Sequence, residues 1–120
     1  MLDFSRSAET QPLLIVDDDE PFRNRLARAM EKRGFAVTTA ASVAEGCDVA
    51  RRDKPTYAVL DLRLEDGSGL EIVKELQGSQ PEARIIVLTG YGNIATTVAA
   101  VKAGAIDYLP KPADADAVAA

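Results

Sequence analysis

Residues Tyr57 to Leu70 read YAVLDLRLEDGSGL, an uninterrupted apolar run that ends on a single carboxylate, Asp61. Tyr57, Ala58, Val59 and Leu60 are continuous rather than alternating, which predicts a strand buried on both faces. Asp66, Gly67, Ser68 and Gly69 then cluster as turn formers, and Leu70, Ile72, Val73 and Leu76 recur at helical spacing. Asp61 is therefore expected at the carboxyl end of a central strand, just before a loop and a helix. In open parallel α/β sheets, ligands bind along that edge. A lone Asp after a strand serves equally well as a turn or capping residue, so the other strand ends decide its meaning.

Outward from this stretch the same pattern repeats. Leu13, Leu14, Ile15 and Val16 form an apolar run, and Asp17, Asp18 and Asp19 follow at once. A helix opens near Glu20 with Pro21 in its first turn; Phe22, Leu26, Ala29 and Met30 make its apolar face, and Gly34 stops it. Phe35 to Thr39 predicts a second strand. Ser42 with Glu45 forms a capping box that opens a helix through about Asp53, and Pro55 separates it from the central strand. Downstream, Gly78 and Pro81 break the chain before a strand over Arg84 to Leu88, which ends at Thr89 and Gly90. Ile94, Val98 and Val101 space a further helix ended by Gly104, and Ile106 to Leu109 is a short fifth strand before Pro110, Lys111 and Pro112. Asp114 or Asp116 caps a last helix, truncated at Ala120. Residues 1–12 are polar and unpatterned, a flexible leader to one domain over 13–120. Strand and helix alternate five times, which predicts a doubly wound, five-stranded parallel sheet with helices on both faces.

Composition narrows the function. With 120 residues, the chain fits one ordinary domain, and at 5% aromatic its core must be aliphatic. No apolar run reaches the length of a membrane span, and residues 1–11 lack the apolar segment of a signal peptide, so no membrane contact and a cytoplasmic location are expected. One cysteine and no histidine exclude disulfides within the chain, zinc sites of the Cys/His kind and every Ser/His or Cys/His nucleophile. Cys47 shares a helix face with Val43 and Ala50 and is read as a buried structural thiol. A net charge of −5 does not suit this domain to hold a nucleic-acid backbone by itself.

Compared side by side, the strand ends carry Asp17 and Asp18, then Asp61, then Thr89, then Lys111. A parallel sheet places them all on one edge. Carboxylates brought together there repel strongly unless a counter-charge stands among them. A hard divalent cation, Mg²⁺, takes oxygen ligands and keeps several waters, so one or two direct carboxylates suffice. Cation, ammonium and hydroxyl together suit a phosphoryl group, and Asp61 becomes the candidate nucleophile that forms an acyl phosphate. A chain without histidine cannot be the histidine donor of such a relay, only the acceptor.

VDDDEP (16–21), AVLDLRLEDGSGLE (58–71), VLTGYG (87–92) and DYLPKP (107–112) together resemble the receiver domain of two-component response regulators, over residues 13–120. The wording LRLEDGSGLE and the ending YLPKP most resemble the redox-responsive RegA/PrrA/ActR branch. The resemblance implies a flavodoxin-like (βα)5 fold and a phosphoacceptor signalling domain rather than an enzyme, with only self-catalysed phosphotransfer and slow autodephosphorylation. It implies phosphorylation of Asp61 by a sensor histidine kinase. Asp18 and Asp61 would ligate Mg²⁺ directly, Asp17 through water, and Arg63 through its backbone carbonyl. It further implies that Lys111 contacts the phosphoryl group and that Thr89 and Tyr108 form the switch pair. That pair would couple phosphorylation to homodimerisation through the fourth helix, fifth strand and fifth helix, controlling a DNA-binding effector domain absent from this chain. Glu65 departs from the proline many members carry there, which puts the loop shape in question but not the chemistry. Asp19 is assigned to the start of the first helix, where its charge favours the N-terminus. Two other readings remain. One is a phosphohydrolase of the haloacid dehalogenase kind, using Asp17, Asp19, Thr89 and Lys111; the other is a docking module indifferent to phosphorylation.

Overall fold

Strand β1, Gln11–Val16, sets the layers of the molecule, because its successive side chains leave the sheet on opposite sides. Leu13 and Ile15 join Phe22, Leu26 and Met30 of helix α1 (Glu20–Lys32) in one apolar cluster, together with Val59 and Leu88. Leu14 and Val16 join the other cluster, which holds Val43, Val49 and Ala50 of α2 (Val43–Asp53) and Ile72, Val73 and Leu76 of α3 (Leu70–Ser79). A strand with helices on both sides has no polar face to present, which is why its sequence is continuously apolar.

The computed structural model describes residues 11–89, 98–99, 101–102, 104 and 107–110, with only the backbone at Thr89 and 107–110. After β1 and α1 come β2 (Phe35–Ala40), α2, β3 (Tyr57–Asp61), the two-residue strands β4 (Arg63–Leu64) and β5 (Gly67–Ser68), α3, β6 (Arg84–Thr89) and β7 (Asp107–Pro110). Residues 98, 99, 101 and 102 are helical. The main sheet runs β2-β1-β3-β6-β7 with every pairing parallel. Its order reverses direction at β1, so a crevice opens between the carboxyl ends of β1 and β3. This is the expected doubly wound sheet of five parallel strands.

Local chemistry accounts for the element ends. The Asp19 carboxylate accepts the Phe22 N–H at 3.2 Å and caps α1, as its assignment to the helix start requires. Past α1, Gly34 takes φ 95°, a left-handed turn that β-carbon-bearing residues resist. Ser42 Oγ accepts the Glu45 N–H at 3.1 Å, while Glu45 Oε1 accepts the Ala41 N–H at 2.8 Å, one residue before the reciprocal partner of an ordinary capping box.

Several boundaries differ from the sequence reading. β1 begins at Gln11, so the expected leader over 1–12 gives up its last two residues to the sheet. Gln11 and Pro12 are exposed and pair with Phe35 and Ala36 of β2, while pairing to β3 starts only at Leu13. Ladder hydrogen bonds need no apolar side chain, and Pro12 stands where one flank of the strand is open. β2 extends one residue further, to Ala40. Among the described residues the fifth sheet strand is β7, Asp107–Pro110, which runs one residue past the expected end at Leu109; it lies at the sheet edge, where proline is tolerated. Ile94, Ile106, the leader over 1–10 and the truncated last helix lie outside the described residues.

Candidate functional site

Acids from two separate strand ends meet at one point. One carboxylate oxygen from each of Asp17, Asp18 and Asp61 lies within 4.8 Å of the others. β1 and β3 are neighbours paired Val16 to Leu60, so the residues that follow, Asp17 and Asp61, leave the sheet side by side. Asp17 is fully buried and Asp61 is 5% exposed, whereas Asp18 is open to solvent.

Asp17 is held from several directions. Its N–H donates to the Ala40 carbonyl at 3.1 Å, its Oδ1 accepts the Asp19 N–H at 2.9 Å, and its carbonyl accepts the Arg23 Nη1 at 2.8 Å. Arg23 had no distinguishing signal in the sequence, being one cation among several on α1. At the other acid, Asp61 Oδ1 accepts the Arg63 N–H at 3.0 Å. The backbone at Gly69 is packed so closely that a β-carbon would collide with the Asp61 carbonyl, and the Gly69 N–H donates to Leu62 O at 3.1 Å. Glycine is needed here for close approach rather than for unusual dihedrals.

The loop between them is not the irregular turn expected from Asp66 to Gly69. β4 and β5 form a small antiparallel ribbon, Arg63 opposite Ser68 and Leu64 opposite Gly67. Asp66 lies in its turn, and its carboxylate reaches the start of α2, where Oδ1 accepts the Val43 N–H at 2.8 Å and Oδ2 the Ala44 N–H at 3.2 Å. The Val43 N–H, and less strongly that of Ala44, holds the Asp66 carboxyl below its ordinary range. The sequence showed only a turn-forming Asp-Gly pair, since nothing in a linear chain marks a partner 23 residues away.

Electrostatics decide what the acidic trio can hold. Two unit charges at most 4.8 Å apart, in an effective dielectric constant of ~20, repel by about 3.5 kcal/mol or more. A hard cation with oxygen ligands reverses the sign of that interaction, and one buried pair with one exposed carboxylate leaves an open side for waters or a phosphoryl oxygen. The donor set therefore fits a divalent cation. The side chains of Thr89 and Tyr108 lie outside the described residues. Their backbones show Thr89 one residue beyond Leu88, the strand partner of Asp61, and Tyr108 opposite Val87. Pro110 pairs with Thr89; Lys111, which follows it, lies outside the described residues.

Two expectations change in detail. Cys47 is half-buried rather than buried; it packs against the core, and burial, then the Glu75 charge, pushes its thiol up, away from reactivity. The phosphohydrolase reading needs Asp19 as its second acid, but Asp19 is exposed and caps α1 outside the trio.

Comparison with known proteins agrees with this geometry. The profile of the response regulator receiver domain matches residues 13–120. The photosynthetic apparatus regulatory protein RegA of Cereibacter sphaeroides is 66% identical over 106 residues, 88% of this chain and 58% of that protein. The acid tolerance regulatory protein ActR of Rhizobium meliloti is 63% identical over 108 residues, 90% of this chain and 56% of that protein. The chain thus spans less than two thirds of the length of these relatives. Among solved structures, a response regulator from Burkholderia pseudomallei, crystallised with a phosphorylated aspartic acid, calcium ion and citrate, superposes with a TM-score of 0.85 at 44% identity, covering 91% of this chain and 64% of that one. A CheY-like receiver domain from Methanospirillum hungatei gives 0.86 at 28% identity, over 92% and 88% of the two chains. With the acidic trio at the β1/β3 crevice and a match over nearly the whole sequence, the chain belongs to the response regulator receiver family, on the branch that contains RegA and ActR.

Proposed function

We propose that Asp61 is the phosphoacceptor of this receiver domain and that Asp17, Asp18 and Asp61, with the backbone carbonyl of Arg63, hold Mg²⁺ beside it. The observation that carries the reading is the convergence of three carboxylates from two separate strand ends within 4.8 Å. When bound, Mg²⁺ supplies positive charge that offsets both the carboxylates and the oxygens of an incoming phosphoryl group.

The chain's own residues do the rest. The Arg63 N–H on Oδ1 fixes the Asp61 carboxylate, so the nucleophile is oriented before the donor arrives. A carboxylate oxygen of Asp61 forms a bond to phosphorus, the P–N bond to the kinase histidine breaks, and its electron pair leaves with the imidazole. Burial of Asp61 limits the access of bulk water to the resulting acyl phosphate. Lys111 contacts the phosphoryl group, and Thr89 with Tyr108 relays its presence to a dimerising face formed by the fourth helix, β7 and the last helix. The donor is a sensor histidine kinase, and the output is transcription through a DNA-binding domain on the full-length protein.

Incubation with phosphoramidate and Mg²⁺, followed by intact-mass measurement, should add one phosphoryl group to the wild type and none to Asp61→Asn. Equal labelling of the two would defeat the assignment, and a label mapped to Asp17 would favour the phosphohydrolase.

A further inference from the structure

The link between Asp66 and α2 joins the loop that follows Asp61 to a helix start 22 to 23 residues earlier in the sequence. We infer that Asp66 is a positioning residue for phosphoryl acceptance: by fastening the β4–β5 ribbon to the first turn of α2, it fixes the Arg63 backbone against the Asp61 carboxylate. The inference rests on Asp61 being the phosphoacceptor.

The ribbon has only two residues in each strand, too few to hold a shape alone. Its base is fastened at Asp61, through the Arg63 N–H on Oδ1 and the close approach of Gly69 to the Asp61 carbonyl. Its tip is fastened by the Asp66 carboxylate. Between base and tip only Leu64 is buried in the core, so without the tip the ribbon can shift about that side chain and carry the Arg63 N–H and carbonyl with it. The anchor point follows the site closely in the chain: α2 opens at Val43, shortly after Ala40, the last residue of β2, which accepts the Asp17 N–H. Asp66 thus refers the Asp61 loop to the same corner of the sheet that holds Asp17. An exposed aspartate placed only for solubility would not use both carboxylate oxygens on successive backbone N–H groups of a helix start.

Other bonds at that helix end allow a clean test. Ser42 Oγ caps the Glu45 N–H within α2 itself, so Ser42→Ala weakens α2 while the Asp66 bonds to Val43 and Ala44 keep the loop fastened. Val43 is the first helical residue and Ser42 before it is extended, with φ −150° and ψ 168°. Val43→Pro is therefore compatible with the backbone and deletes the N–H that Asp66 Oδ1 accepts, and the thermal midpoint reports the core packing lost with the buried Val43 side chain.

The experiment measures initial rates of phosphoryl incorporation from phosphoramidate at saturating Mg²⁺, by intact mass, with thermal midpoints in EDTA measured in parallel. Asp66→Ala should slow incorporation about tenfold, in line with the cost of small misplacements at a reacting centre. Asp66→Asn, which keeps one acceptor, should recover part of the rate. Val43→Pro should show part of the defect, and the double variant with Asp66→Ala should be no slower than Asp66→Ala alone. Ser42→Ala should keep the wild-type rate despite a lowered midpoint. A wild-type rate in Asp66→Ala, or an equal slowing in Ser42→Ala, would overturn the positioning role. Additive defects in the double variant would do the same. Failure of the wild type itself to label at Asp61 would instead remove the reading on which the inference rests.

Discussion

At the scale of single residues, the site is a set of backbone restraints on a few acids. Asp17 is restrained by the Ala40, Asp19 and Arg23 hydrogen bonds among others, and Asp61 is wedged against Gly69. Gly69→Ala keeps an ordinary helical dihedral, since φ there is −60°, but must push its β-carbon into the Asp61 carbonyl. Overpacking of this kind costs about 1–3 kcal/mol, so the urea midpoint should fall and phosphoryl incorporation should slow with it. The mutual repulsion of the acids gives a second expectation. In EDTA, Asp17→Asn should be more stable than the wild type, because it removes a buried like charge while keeping the oxygen that accepts the Asp19 N–H. Added Mg²⁺ should raise the wild-type thermal midpoint by mass action and leave that of Asp17→Asn nearly unchanged. A variant less stable than wild type in EDTA would show that the acids do not repel as argued.

At the scale of elements, the strand runs and helix caps were legible because each is written within a few residues. The apolar run before Asp61, the run before Asp17, the Asp19 cap and the Ser42 cap all follow from local chemistry and recur in the structure. Two kinds of feature were not legible. Gln11 and Pro12 join β1 through ladder bonds to β2, which leave no trace in hydropathy. The service Asp66 gives to α2 and the grip of Arg23 on Asp17 are tertiary contacts of ordinary surface residue types. The Asp66 contact has a pH signature. Its carboxyl is held low, so its contribution to stability is complete above the unfolded value and is lost as pH falls through the folded one. Urea midpoints of the wild type should therefore fall more steeply below about pH 4 than those of Asp66→Asn, the two running parallel near neutrality.

At the scale of the whole molecule, the parallel sheet gathers the acids of neighbouring strand ends at one edge. The edge strand β7 pairs with β6 through Val87 to Tyr108 and Thr89 to Pro110, so the strand bearing the proposed switch aromatic is in direct register with the strand bearing the switch hydroxyl. Before β7 in the chain, residues 98, 99, 101 and 102 are helical, and Val98 is 47% and Val101 45% exposed. These two stand three residues apart and share one helix face. Large apolar side chains this open are the exception among the described residues, and a dimer face would cover them. If phosphorylation drives self-association through this region, charging the face should separate the two steps. The double variant Val98→Asp with Val101→Asp should accept phosphoryl groups from phosphoramidate at the wild-type rate, because neither residue belongs to the acidic site. It should nonetheless stay monomeric by light scattering at concentrations where phosphorylated wild type dimerises. A phosphorylated double variant that still dimerises would place the interface on another face of the sheet.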